Sequence, residues 1–172
     1  MPIESFMTYT QVLTRYKAWA DDLFLTVIAS IPDSELTASR PIAFGSLIRT
    51  LNHSCTMDYV WQCHLLGQHH GLTTRNPESC PEIEVIVRRQ RDMNEWYVGY
   101  AGSITDNELA EVVEFEFIGG GAGCMSRRDI LLHVVNHNTY HRGHAADILY
   151  HLNVCPPTTD LPVFLQQQSV GI

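Results

Sequence analysis

Apolar side chains recur at steps of three and four between Tyr9 and Ile31. Val12, Leu13, Tyr16, Trp19, Leu23 and Val27 make one stripe with the period of an α-helix. Pro32-Asp33 stops this first helix. A loop through Pro41 leads to Ser46, a good N-cap for a second helix that runs to about Leu66 and closes at Gly67. The segment from Gln68 to Cys80, with Gly71, Asn76 and Pro77, reads as a loop, and Pro81 suits the first turn of a third helix reaching about Tyr100. From Val112 to Phe117 the pattern becomes strand-like, and Gly119-Gly120-Gly121 breaks it, as a short hairpin-like excursion would. Ser126 can cap a fourth helix that ends near Leu152, with Asp129 reaching back, and Pro156-Pro157 follows. A short helix after Asp160 completes the chain. Four long amphipathic helices with little strand predict an all-α protein, a four-helix bundle with that excursion before the last long helix.

The fourth helix carries HVVNHNTYHRGH, which holds four of the nine histidines: His133, His137, His141 and His144. At about 100° per residue, with His133 at zero, His137 lies at about 40°, His141 at about 80° and His144 at about 20°. The apolar residues Ile130, Leu131, Val134, Ala145, Ile148 and Leu149 centre near about 110°, so His141 and His137 point nearest the core and the other two lie on its flank. Two imidazoles at i and i+4 stand about 6 Å apart along the axis and can share one ion. A third ligand must come from another helix, and His53, two turns into the second, is placed to meet them. His64, His69 and His70 are read as solvent-facing. No Glu follows His137, which excludes the H-E-x-x-H of a metalloprotease, and the absence of Glu-x-x-His disfavours a di-iron centre. A mononuclear three-nitrogen site remains, beside the alternative that these are hydrogen-bonded core histidines.

The chain has 172 residues, a length suited to one domain spanning 1–172, and is 45% hydrophobic and 17% charged. Its net charge of -8 would repel a phosphate backbone, and Arg88-Arg89-Gln90-Arg91 reads as a solvated helix face, so no nucleic-acid partner is expected. The glycine run lacks the Lys-Ser/Thr of a phosphate loop. No apolar run approaches the roughly 20 residues of a membrane span and MPIESFMTYT has no leader pattern, so a cytoplasmic protein with no membrane partner is expected. Five cysteines without a C-x-x-C pair read as reduced thiols. Asp58, beyond His53, is read first as a surface carboxylate and otherwise as a support for the ligands or a general base. Arg142 is read as a surface or interface residue, and Gly143 as marking a close helix approach. Trp19 and Trp61 are candidate anchors for a homodimer.

Three pieces carry a resemblance: Tyr16-Lys17-Ala18-Trp19-Ala20; Phe44-Gly45-Ser46-Leu47-Ile48-Arg49-Thr50-Leu51-Asn52-His53 with Asp58 and Trp61 beyond; and His133 through Gly143, written HVVNHNTYHRG. With these the sequence resembles the DinB-like (damage-inducible, YfiT-type) family of small metalloenzymes. The resemblance implies a bundle, often dimeric, holding one divalent ion on His53, His137 and His141. It departs at His144, where relatives often carry Gln; His144 is then an extra ligand, a donor behind the ligands, or a neutral exchange. Some such proteins are thiol transferases that use low-molecular-weight thiols such as bacillithiol or mycothiol, and one branch isomerises maleylpyruvate. The expected activity is therefore a metal-dependent, thiol-dependent S-transfer onto a small molecule. A metal-dependent hydrolase and a non-catalytic metal-binding or regulatory protein are the alternatives. Imidazole ligands suit zinc or nickel first, with iron also admitted.

Overall fold

Thr8 starts the first helix: its hydroxyl accepts from the Gln11 N–H at 3.4 Å, while the Gln11 side chain accepts from the Thr8 N–H at 2.9 Å. This reciprocal cap satisfies donors that a helix end otherwise leaves free. In the computed structural model, which describes residues 7–169, this helix, α1, spans Tyr9–Ile28. It ends earlier than the apolar period implies because Ser30 and Ile31 bond back to Val27 and Ile28, tightening the last turn. The acidic turn after Pro32 then forms its own short helix, α2 (Asp33–Thr37).

The second long helix, α3 (Leu47–Leu66), has the expected ends. Ser46 caps it through the Arg49 N–H, and Gly67 closes it in the left-handed conformation at φ 65°. The third, α4 (Ile83–Ser103), begins two residues after Pro81 and runs past Tyr100. Thr105 caps a further short helix, α5 (Asp106–Leu109). The hairpin is present as β1 (Val112–Glu116) and β2 (Ala122–Ser126), antiparallel with Val112 opposite Ser126 and Glu116 opposite Ala122. Gly119, Gly120 and Gly121 all have φ near 100°, which the turn needs and side-chain-bearing residues resist. Ser126 ends β2 and caps α6 (Arg127–His151), accepting from the Asp129 N–H at 3.1 Å. Asp129 reaches back to the Ser126 hydroxyl, at 2.6 Å, rather than to its backbone. The last element is α7 (Leu161–Ser169).

The protein is thus mostly helical with one two-stranded sheet. The long helices touch in a ring: α1 packs on α4 and α6, and α3 packs on the same two. Of the three apolar clusters buried among the described residues, two are large. One gathers Phe24 and Ile28 of α1, Ile86 of α4 and Ile148 and Leu149 of α6. The other gathers Trp61 and Leu65 of α3, Tyr97 of α4, Phe115 of β1 and Ile130 and Val134 of α6. Between these two clusters the inward-facing positions turn polar: Gln90 and Asn94 on α4, then Asn138 and Arg142 on α6, are all buried.

That polar layer reverses several expectations. On α1 the buried face carries Thr14, Lys17 and Asp21 beside Tyr16, Ala20 and Phe24, while Leu23 is 37% exposed. Asp58 is not a surface carboxylate; it is 1% exposed, with Lys17 Nζ at 2.8 Å and the Gln90 and Asn138 amides donating at 2.7 and 2.6 Å. Lys17 also pairs with Asp21 at 3.1 Å and donates to Asn94. Arg142 is buried rather than exposed, donating to Asp21 at 2.8 Å and to the Tyr16 hydroxyl at 3.1 Å. Burial opposes the charge on Lys17, but Asp21 and Asp58 outweigh it and hold the ammonium above its ordinary pKa. Gly143 does not mark a close approach, since a Cβ there would meet nothing within 4 Å. Arg88, Arg89 and Arg91 face outward as expected, but Gln90 turns into the core. Trp61, 6% exposed, is a core residue and not an interface anchor; half-buried Trp19 packs on Tyr16 and Phe164.

Candidate metal centre

Three of the nine imidazoles converge. α3 brings His53 and α6 brings His137 and His141 one turn apart, so that a nitrogen of each lies within 4.8 Å of the others. His137 Nε2 is 3.3 Å from His53 Nε2 and 3.1 Å from His141 Nε2. Phe44, in the turn before α3, stacks on His53 with ring centroids 4.4 Å apart and also touches the His141 ring. The wheel order is kept: His141 is buried and His137 half-buried.

The tautomer of His53 follows from its partner. The Arg75 carbonyl, 3.1 Å from His53 Nδ1, can only accept, so Nδ1 carries the proton and Nε2 presents a lone pair to the cluster. The buried Nδ1 atoms of His137 and His141 have no hydrogen-bond partner among the described residues. Burial, reinforced by neighbouring imidazoles, pushes His137 down to about 3 and His141 down to about 4. His53 is lowered as well, chiefly by burial. All three are therefore neutral near pH 7, the form that binds metals. Four ligands placed tetrahedrally at about 2.0 to 2.1 Å would set their nitrogens about 3.3 to 3.4 Å apart. The spacings of 3.1 and 3.3 Å fit such an ion.

The other histidines lie outside this group. His133 lies tilted beside His137, centroids 5.6 Å apart, and meets Trp61 edge-on. His144 contacts the rings of Tyr140 and His141. His69 is exposed as expected, but His64 is half-buried against Trp61 and Phe115, and His70 is half-buried beside His64. Asp58 makes no hydrogen bond to the cluster; through Asn138 it fixes the turn of α6 that carries His137. Cys55 is close to His53 in sequence, but burial pushes its thiol up to about 12, so it stays protonated near neutral pH. All five cysteines are free.

Beside the cluster lies a cavity of about 210 Å³, lined in part by His53, His137, Trp61, Arg75 and Phe117. Phe44 and Arg75 are the residues of this region whose positions the sequence did not announce. A backbone carbonyl and a ring in a turn have no periodic signature.

A model of the DinB family matches residues 6–170. The chain belongs to the DinB family. Its fold is similar to that of a DinB-like protein from Bacillus cereus ATCC 10987, with a TM-score of 0.64 at 20% identity over 84% of this chain and 91% of that one. A conserved protein from Enterococcus faecalis is also similar, with a TM-score of 0.57 at 14% identity over 83% and 95% of the two chains. No curated protein matches this DinB-family chain. Its three-histidine group could bind a metal ion. Among the described residues no helix is long and apolar enough to cross a membrane.

Proposed function

We propose that this DinB-family protein is a divalent-metal-dependent enzyme. Its single domain of residues 1–172 is built as a four-helix bundle, and it holds one ion, zinc or nickel, on the Nε2 atoms of His53, His137 and His141. The observation that carries the reading is the convergence of those atoms, with His137 Nε2 3.3 and 3.1 Å from its two neighbours. A bound ion of this kind acts as a Lewis acid that lowers the pKa of a thiol or water placed on it. The rest belongs to the protein. The Arg75 carbonyl orients His53, Phe44 limits the rotation of two imidazoles and shields them from bulk water, and the Asp58–Asn138 bond sets the register of α6. The cavity beside His53 and His137 gives a small molecule access to the site.

The activity we propose is thiol-dependent S-transfer in the cytoplasm, with a low-molecular-weight thiol as one substrate. The support is the family together with a buried neutral nitrogen site next to a cavity. A homodimer is part of the same proposal. With Trp61 buried, the exposed Tyr9, Tyr140 and Tyr150 are among the aromatic side chains left to anchor it. Metal analysis of tag-free protein is the direct test. About one zinc or nickel per chain, followed by metal-dependent loss of thiol from a thiol-plus-electrophile mixture, is the expected result. Protein that purifies and stays without metal under zinc titration contradicts it.

A further inference from the structure

We infer that the cavity beside the three histidines binds a small carboxylic acid, its carboxylate held by Arg75 and its apolar body lying against Trp61, Met57 and Phe117. The inference deepens the proposed function, on which it rests, by naming the class of the acceptor or inhibitor that reaches the site.

Arg75 lines the cavity, and no other Lys or Arg does. Its side chain is exposed and, like those of Arg15, Arg49, Arg88, Arg89 and Arg128, makes no ion pair among the described residues, but of these only Arg75 borders the cavity. Its backbone is tied to the site through the His53 Nδ1–H bond of 3.1 Å. A guanidinium left free at the edge of an apolar cavity matches the two oxygens of a carboxylate, which accept a pair of parallel N–H bonds.

The walls restrict the ligand further. A volume of about 210 Å³ is that of roughly seven waters at about 30 Å³ each, so the occupant is small. Trp61, Met57, Val60, Phe117 and Ile118 give the lining an apolar side, beside four imidazoles. The buried indole N–H of Trp61 has no acceptor among the described residues. Glu116 also lines the cavity, and no ion pair joins it to Arg75 among the described residues. Its charge disfavours a second carboxylate, so the ligand is a monoacid with an apolar body.

The test is calorimetric titration of the zinc-loaded full chain with phenylacetate and with phenylacetamide, which has nearly the same shape without the charge. The acid is expected to bind at least about tenfold more tightly. Arg75→Gln should remove that preference while leaving the amide's affinity and the zinc content unchanged, and Arg75→Lys should restore part of it. Equal affinity for acid and amide, or a preference that survives Arg75→Gln, overturns the inference. Repeating the titration on chelator-treated protein separates the two readings. A preference that persists without zinc and disappears in Arg75→Gln supports the cavity assignment even if the metal reading fails. One that vanishes with zinc but survives Arg75→Gln places the carboxylate on the ion and overturns the role of Arg75.

Discussion

Two polar regions sit side by side in the protein, and they treat their polar atoms in opposite ways. In the layer between the apolar clusters, Lys17, Asp21, Asp58 and Arg142 are each at most 7% exposed, and every charge meets an opposite charge from the same or another helix. Gln90, Asn94 and Asn138 take up further bonding capacity. In the histidine cluster the nitrogens face one another, two Nδ1 atoms have no partner among the described residues, and all three rings are held neutral. The same stretch of α6 builds both: His137 is followed by Asn138 and His141 by Arg142, about 100° apart on the helix. A closed network fixes a fold, since burying a charge is tolerated only when it is paired. A set of converging lone pairs suits a cation from outside.

The largest expected effect is on the closed side. Lys17→Met leaves Asp21 with only Arg142 and Asp58 with only amides, and breaking a buried pair on one side costs about 3 to 5 kcal/mol. Urea unfolding of the metal-free protein should show that loss for Lys17→Met and a clearly smaller one for His137→Ala. Equal losses would erase the contrast.

Zinc sharpens it from the other side. Free zinc at about 100 times its dissociation constant should raise the stability of the wild-type chain by about 2.7 kcal/mol. His137→Ala, binding at least about tenfold more weakly, should show at most about half of that increment, read as the shift of the urea midpoint with and without metal.

Acid should weaken the metal-free site in a defined direction. His137 and His141 are depressed to about 3 and about 4 from an ordinary 6.5. Between those values and 6.5 the unfolded chain binds protons that the folded chain refuses, so this stability is present above about pH 6.5 and is lost as pH falls toward 4. The fall in urea midpoint from pH 7.5 to pH 4.5 should be smaller in a His137→Ala, His141→Ala double variant. A fall as steep as that of the wild type would mean these imidazoles already bind protons in the folded state.

How far these regions could be read in advance differs for a physical reason. Ser46, Gly67 and Ser126 act through bonds to residues within a few positions, so the ends of α3 and the start of α6 follow from short motifs. His137 and His141 share a helix face with Val134 and Ala145, so periodicity alone turns them inward. Asp58 and Arg142 look like surface residues because what neutralises them is distant in sequence: Lys17 lies on α1, and Arg142 meets Asp21 there. The same blindness hid the buried stripe of α1, whose Thr14, Lys17 and Asp21 displace Leu23 from the core. Gly143 misled in the other direction, since helix spacing depends on neighbours the sequence does not show. As nothing lies within 4 Å of its added Cβ, Gly143→Ala should stabilise α6 by about 0.5 to 1 kcal/mol, a rise of a few degrees in Tm. A loss of stability would reveal a packing constraint at that face.

Zinc titration of single alanine variants shows which nitrogens hold the ion. His53→Ala, His137→Ala and His141→Ala should each weaken binding at least about tenfold. His133→Ala and His144→Ala, whose rings lie outside the converging group, should retain the ion, with at most a modest loss at His144. If His133→Ala empties the site while His141→Ala leaves it full, the ion lies on another face of α6 and not on the converging group.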